Sequence, residues 1–204
     1  MTTKYITSII IAILISISSF AQEKGSETPF LKVGISYSSF GNNPIVYSPS
    51  LDGGAGYEGV DFYTIGFVVI KPFTKNLELE TGLEYSEHTI KIIPNLPPEN
   101  TKMPYNVEKT LWSIPIGIRY NFLNYFYLNG GAFLDFDSSL GYELENQQGI
   151  GAYIGLGAKY DFNFGLSLFL TPYYKAHSLI PFKTQGSQGH LMETGFKMGA
   201  LYAF

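Results

Sequence analysis

Apolar and polar side chains alternate along most of this chain, from about residue 30 to Phe204. Successive side chains of a β-strand point to opposite faces of a sheet, so a period of two predicts strands with one apolar and one polar face. This part of the chain has no sustained helical period, and an all-β fold is predicted. The alternation falls into eight segments, at about 30–40, 62–73, 77–92, 111–122, 125–137, 150–162, 165–177 and 190–204.

The connections between these segments alternate strictly between short and long. The long ones are rich in Gly, Pro, Ser and Asn, which is typical of loops. In an up-and-down sheet this order places every short turn at one end and every long loop at the other. We therefore predict a single domain, an eight-stranded antiparallel up-and-down β-barrel. The short connections are 74–76, 123–124 and 163–164, and the long ones are 41–61, 93–110, 138–149 and 178–189.

The charged residues of the segments concentrate on one face. In the segment WSIPIGIRYNF, for example, Ile114, Ile116 and Ile118 share a face, and Arg119 lies on the other. Many glycines also lie on the polar face. Eight strands enclose an interior that side chains fill, and small residues next to long charged ones suit such a crowded space. The charged residues assigned to the lumen are Lys32, Glu78, Glu80, Glu84, Arg119, Asp135, Asp137, Lys159, Asp161, Lys175, Glu193 and Lys197.

Alternation alone does not decide which face lines the interior. A lipocalin-like barrel is apolar inside, whereas an outer-membrane barrel is apolar outside. The aromatic residues favour the second arrangement, because many of them gather near the short turns, where a membrane barrel carries an aromatic girdle. A water-exposed face of this kind would also be prone to aggregation. We expect a transmembrane β-barrel with its apolar face towards lipid.

The first 21 residues follow a different pattern. MTTKYITSIIIAILISISSFA has a lysine, an apolar run and then small residues, which is the three-part pattern of a secretory signal peptide. The apolar run from Ile9 to Ile17 is short for a membrane-spanning helix. We predict a signal peptide over residues 1–21 and a barrel domain over residues 22–204.

Composition narrows the set of partners. The net charge of −4 and the lack of a basic stripe argue against a nucleic-acid partner. The chain has no cysteine, which excludes disulfides and thiolate metal sites.

These features together resemble the small outer-membrane β-barrel proteins of bacteria. The stretch LWSIPIGIRYNF looks like a strand common in PorT-type barrels of the Bacteroidota, and the filled lumen is similar to that of OmpA/OmpX-like barrels. The ending FKMGALYAF, with Tyr202 and Phe204, is similar to the signal that the barrel-assembly machinery reads. The resemblance implies an outer-membrane location, contact with membrane lipid and with that machinery, and no cofactor.

The lumen charges and the three histidines are the candidates for chemistry. The charges are expected to form either a salt-bridge network that fills the lumen or a path for ions or solutes. His88, His177 and His190 all fall near the long loops, but nothing in the sequence makes them converge on a metal. Lipid A deacylases of this class space His and Ser two residues apart, whereas His177 and Ser178 are adjacent and should point to opposite faces. No catalytic, cofactor or metal residue is assigned.

The long loops are the remaining functional surface, since binding sites often lie on loops held by a rigid scaffold. We expect a non-enzymatic outer-membrane protein with a structural, adhesion or secretion-accessory role, whose loops contact a protein or a glycan. The alternatives are a lipid A-modifying enzyme of the deacylase or acyltransferase type and, ranked below it, a secreted lipocalin-like binder.

Replacing Phe204 with Asp should reduce insertion into the outer membrane, because the terminal aromatic residue would no longer match the assembly signal. The amount of folded barrel in the membrane fraction measures the effect. Phe204→Tyr is the matched control and should insert like the wild type. Normal insertion of Phe204→Asp would contradict the assembly role.

Overall fold

The structure is a computed structural model that describes residues 31–48, 55–95, 103–139, 144–183 and 188–204. The predicted signal peptide lies outside these residues. Among them, no helix is long and apolar enough to cross a bilayer. The strands are β1 (Lys32–Asn42), β2 (Ile45–Ser48), β3 (Gly56–Pro72), β4 (Leu77–Ile93), β5 (Tyr105–Phe122), β6 (Phe126–Asp137), β7 (Gly149–Asp161), β8 (Leu166–Pro181) and β9 (Gln188–Ala203).

Eight of these strands close into an antiparallel ring. The order is β1-β3-β4-β5-β6-β7-β8-β9, and β1 pairs with β9 to complete the circle. The short strand β2 also pairs with β9, with Ile45 opposite Leu191, just beyond the Asn42–Thr194 pair that ends β1. It therefore continues the track of β1 after a break at residues 43–44. The predicted eight-stranded up-and-down barrel is confirmed, with β2 as an addition that the sequence did not indicate.

Several strands extend further into the long-loop end than predicted. β3 begins at Gly56 rather than near residue 62, β5 begins at Tyr105 rather than near 111, and β8 continues to Pro181. Charged residues lie on the outer faces of the β3 and β5 extensions; Glu58 on β3, for example, lies 3.6 Å from Lys91 on β4. Polar outward residues next to Gly- and Pro-rich stretches gave these segments the composition of loops, which is why their strand character was missed.

A broad apolar belt covers the outside of the ring. Ile65, Ile116 and Leu156, in the middle of their strands, are 53–56% exposed. Aromatic rings border the belt at the short-turn end, where Tyr125 stacks on Tyr160 and Phe122 on Phe126. This is the end at which the sequence predicted an aromatic girdle.

A second aromatic border lies at the opposite edge of the belt. The rings of Tyr63, Tyr85 and Trp112 lie side by side, and the Tyr63 and Tyr85 hydroxyls donate to Glu87 just above them. On β5, Trp112 and Tyr120 mark the two borders; they are eight residues apart, or about 26 Å along the strand. With a strand tilt of about 35–45°, this length corresponds to about 20 Å along the barrel axis, somewhat less than the apolar band of about 25 Å in outer-membrane barrels.

Inside the belt, glycines make room for large side chains. The Tyr127 ring lies where a side chain at Gly157 would project, since a Cβ added there would come within 2.2 Å of Tyr127 Cζ. The ring cannot move aside, because Tyr127 is fully buried, bonds the Thr171 hydroxyl and packs against Arg119, whose Cζ lies 4.0 Å from the ring centre.

Above the outer aromatic border the pattern inverts. On β4 the inward positions change from Glu84 and His88 to Ile90 and Ile92. An apolar cluster, here called the cap, fills this end of the barrel, while the outer face of the strands carries charges such as Glu58 and Lys91. At the level of the belt the interior thus holds the charged residues together with a smaller apolar cluster of Val68, Ile70, Tyr127, Phe169 and Leu201, whereas beyond the belt the interior is apolar. The buried residues of the cap are Ile45, Ile90, Ile92, Leu111, Leu144 and Leu191.

Replacing Gly157 with Ala should destabilise the barrel by about 1–3 kcal/mol, because the added methyl overpacks the lumen against Tyr127. Urea unfolding of the protein in lipid vesicles, followed by electrophoretic mobility, measures the change. Gly56→Ala is the control: its Cβ would meet only Ile93, at 3.6 Å, and should leave stability nearly unchanged. Equal stability of the two variants would contradict the crowded-lumen interpretation.

Candidate functional site

The predicted lumen charges are joined by a series of ion pairs. Near the short turns, Lys32 Nζ lies 2.9 Å from Glu78 Oε1. One layer further in, Arg119 donates to Glu80 Oε2 from Nε at 3.1 Å and from Nη2 at 3.0 Å, and Asn129 Nδ2 donates to the same oxygen at 3.1 Å. These side chains are almost completely buried, so each charge depends on its partner rather than on water.

The middle of the lumen is organised around Glu84. Its two carboxylate oxygens accept separate hydrogen bonds, each 2.7 Å long, from Lys175 and Lys197. Lys197 also approaches Glu80 at 3.6 Å, and Lys175 approaches Glu193 at 3.8 Å. Charges of alternating sign therefore run continuously from Arg119 to Glu193, which links four strands of the ring, β4, β5, β8 and β9, through their side chains.

The other predicted lumen residues lie near the two mouths. Lys159 pairs with Asp161 at 3.1 Å at the short-turn mouth, where the Asp161 side chain is 46% exposed. At the opposite mouth Asp137 pairs with Lys109, and both are buried. Lys109 was missed because it falls in a stretch that the sequence predicted to be a loop. If β5 is extended to Tyr105, the alternation of inward and outward residues places Lys109 in the lumen.

A small cavity adjoins this network. It lies beside Glu84, Lys175 and Lys197 and has room for about one water molecule. Asn129 and Tyr153 also line it, and among the described residues neither Asn129 Oδ1 nor the Tyr153 hydroxyl has a hydrogen-bond partner.

A buried cluster of two histidines and a glutamate lies above Lys175. His88 on β4, His177 on β8 and Glu193 on β9 have side-chain ligand atoms that all lie within 4.8 Å of one another. Glu193 Oε2 is 3.3 Å from His177 Nε2 and 3.6 Å from His88 Nε2. All three side chains are at most 1% exposed.

Further side chains hold these groups in place. His177 Nδ1 lies 2.9 Å from Asp135 Oδ2, and the other oxygen of Asp135 accepts a hydrogen bond from Ser113. The Tyr173 hydroxyl donates to Glu193 Oε1. Aromatic rings enclose the sides, with Phe62 stacked on His88 and the Phe133 ring edge-on to His177.

The histidines differ from the sequence expectation in two ways. His88 and His177 converge, which was not expected, whereas His190 stays apart and its Nδ1 lies 2.9 Å from the Ser178 carbonyl oxygen. Ser178 has a φ of 51° beside a register shift between β7 and β8, and it is buried like His177. The expectation that they point to opposite faces is therefore wrong, because an irregularity of the strand breaks the alternation. Alternation along the strands could have indicated this cluster. His88 lies on the same face of β4 as Glu84, and His177 lies on the same face of β8 as Lys175.

The cap closes the barrel above this cluster. On the inward face of β4, Ile90 comes next after His88. On the inward face of β5, Leu111 comes just before Ser113, and on β9 Leu191 lies two residues before Glu193. At its edge the rings of Tyr47 and Tyr57 are 5.0 Å apart. Burial, together with the neighbouring Tyr57 hydroxyl, raises the pKa of Tyr47 above its usual range.

No protein-family model matches this sequence, and no curated protein sequence matches it. Among solved structures, the chain is similar to the outer membrane protein OprG from Pseudomonas aeruginosa, with a TM-score of 0.49, 13% identity, and coverage of 85% of this chain and 94% of that one. It is also similar to the outer membrane protease OmpT from Escherichia coli, with a TM-score of 0.41, 11% identity, and coverage of 89% and 99%. The third similar structure is the translocator domain of the autotransporter NalP from Neisseria meningitidis. Its TM-score is 0.37 and its sequence identity is 12%, with 99% of each chain covered. Likenesses of this size say nothing about what the chain binds or does.

Replacing Glu84 with Gln should destabilise the barrel by about 3–5 kcal/mol, since two buried ammonium groups lose their shared carboxylate. Glu58→Gln is the matched control. It removes an exposed carboxylate that lies 3.6 Å from Lys91, and it should cost at most about 1 kcal/mol. Urea unfolding in lipid vesicles gives both values, and similar losses in the two variants would contradict the role given to Glu84.

Proposed function

We propose that this chain is a non-enzymatic outer-membrane β-barrel protein that acts as a sealed scaffold and presents its long-loop end to a partner, in a structural, adhesion or secretion-accessory role. The observation that carries the proposal is the apolar belt between two aromatic borders around a charged lumen. This arrangement is the reverse of a water-soluble lipocalin and suits a barrel surrounded by lipid.

The interior supports a scaffold rather than a pore. All the lumen charges except Asp135 lie in ion pairs with one another or with Lys109, and the cavity among them has room for about one water molecule. At the long-loop end, the apolar cap fills the space where a channel mouth would have to open. Eight strands in any case enclose a lumen of a size that side chains fill.

The position of the charged and histidine groups supports a non-enzymatic role. His177 faces Asp135 and Glu193 inside the barrel and is 1% exposed, so a lipid or peptide substrate has no contact with it. The lipid A enzymes considered above instead require their His and Ser at the lipid boundary. The loops are the remaining surface for a partner, although residues 49–54, 96–102, 140–143 and 184–187 lie outside the described ones. A PorT-type relationship, and export by the predicted signal peptide, complete the proposal.

Cell fractionation tests the proposal together with lipid analysis. The protein should sediment with outer membranes and require detergent for release, and the purified barrel should give no steady conductance in planar bilayers. Lipid A from a deletion strain should have an unchanged mass spectrum. Release without detergent would favour the lipocalin-like binder, and altered acylation would favour the enzyme; either result would overturn the proposal.

Loop variants provide the control for a partner. A protein or glycan that co-purifies with the detergent-solubilised wild type should be lost when residues 96–102 or 49–54 are replaced with Gly-Ser linkers of equal length. Replacing the short turn at 74–76 in the same manner should leave the partner bound.

A further inference from the structure

We propose that His88, His177 and Glu193 bind one divalent transition-metal ion of the zinc type, as a closed structural site beneath the cap. Two imidazole nitrogens and a carboxylate oxygen form a donor set that suits Zn²⁺. The Nε2 atoms of both histidines face the same oxygen, Glu193 Oε2, at 3.3 and 3.6 Å. These separations are close to those between neighbouring ligands of a tetrahedral ion whose bonds are about 2.0–2.1 Å long.

The charge balance of the lumen favours a cation at this place. Asp135 has no lysine or arginine within ion-pair distance among the described residues, and Glu193 has only Lys175, at 3.8 Å. Lys175 is already bound to Glu84 at 2.7 Å. The predicted lumen residues together with Lys109 contain seven carboxylates, Glu78, Glu80, Glu84, Asp135, Asp137, Asp161 and Glu193, and six cationic side chains, Lys32, Lys109, Arg119, Lys159, Lys175 and Lys197. A positive charge between Asp135 and Glu193 offsets this excess, either as a proton on His177 or as a metal ion.

Asp135 has the position of a metal-orienting residue. It bonds His177 Nδ1 at 2.9 Å, which fixes the ring so that Nε2 points to Glu193. Histidine ligands of metals almost always give their other ring N–H to a carboxylate, carbonyl or water in this manner. Ser113, which donates to the other Asp135 oxygen, holds the carboxylate in turn.

Asn43 offers a similar partner to His88. Its Nδ2 lies 3.5 Å from His88 Nδ1, and its Oδ1 is buried without a hydrogen-bond partner among the residues described. Rotation of the amide would bring Oδ1 against His88 Nδ1, so that Nδ1 carries the proton and Nε2 is free for the ion. This rotation would break the 3.1 Å hydrogen bond that Asn43 Nδ2 donates to the Asp61 carbonyl oxygen.

The surroundings indicate a structural ion rather than an exchangeable one. Phe62 and Phe133 cover the sides of the cluster, and the cap lies above it. Ser86 Oγ, 3.1 Å from His88 Nε2, lies nearest to a fourth position. The ion would join β4 to β8 and β9 across the lumen, a connection that backbone pairing does not provide, since β4 pairs with β3 and β5.

The test uses the full barrel refolded in detergent with Zn²⁺ or Co²⁺, followed by removal of unbound metal. Elemental analysis should find about one ion per folded chain, Co²⁺ should give the visible absorption of a tetrahedral site, and the thermal midpoint should exceed that of protein refolded with chelator. Folding is checked separately by heat-modifiable electrophoretic mobility. His88→Gln should abolish equimolar binding, whereas the control His190→Gln, which changes a histidine outside the cluster, should bind like the wild type.

Asp135→Asn separates a positioning role from a general loss of structure. The folded variant should still take up one ion at saturation, but with about 10–100-fold weaker affinity. Absence of bound metal in the refolded wild type would overturn the proposal, as would equal binding by folded His88→Gln. If His88→Gln does not fold, folded Glu193→Gln takes its place, and retention of equimolar metal by that variant would likewise overturn the site.

Discussion

Closure of the ring between β1 and β9 is the constraint on which the rest of the molecule depends. Pairs from Lys32–Ala203 to Asn42–Thr194 join the two ends of the chain, so the ring has no open edge at this level. Once closed, each strand residue must point into a narrow lumen or out to the surroundings. A charge that points into the middle of the lumen then has little access to bulk water and must find a partner. Strand closure therefore makes the pairing of the lumen charges necessary.

The two halves of the barrel meet different requirements. At the level of the belt, apolar residues such as Ile116 point outward and Arg119 and Glu80 point inward, where they bind each other. Beyond Trp112 the relation reverses, with Ile90 and Leu111 inside. The same strand parity serves both halves, because β4 keeps its even-numbered residues inside from Glu78 to Ile92. The surroundings of the barrel thus change along its axis while the parity of β4 does not.

The histidine cluster lies at the boundary of these two halves. Below it, Lys175 and Glu84 continue the ion pairs of the lumen, and above it the cap begins. A polar group at this depth has few neighbours that can neutralise it. Asp135 and Glu193 lie against the two ring nitrogens of His177, so a cation bound at this place would offset their charge.

The sequence by itself determined the fold class, the eight-stranded ring and which residues share a face, because period-two alternation needs no knowledge of the neighbouring strand. Together with the position of the aromatic residues, this parity placed Glu80 and Lys197 in the lumen. Only the tertiary structure decided which charges meet. Glu84 binds Lys175 and Lys197, which lie 91 and 113 residues away from it along the chain. It also decided the length of β5, the addition of β2 and the convergence of His88 with His177. These depend on how far each strand extends and on the irregularity at Ser178, where a positive φ breaks the alternation from which the sequence argument proceeds.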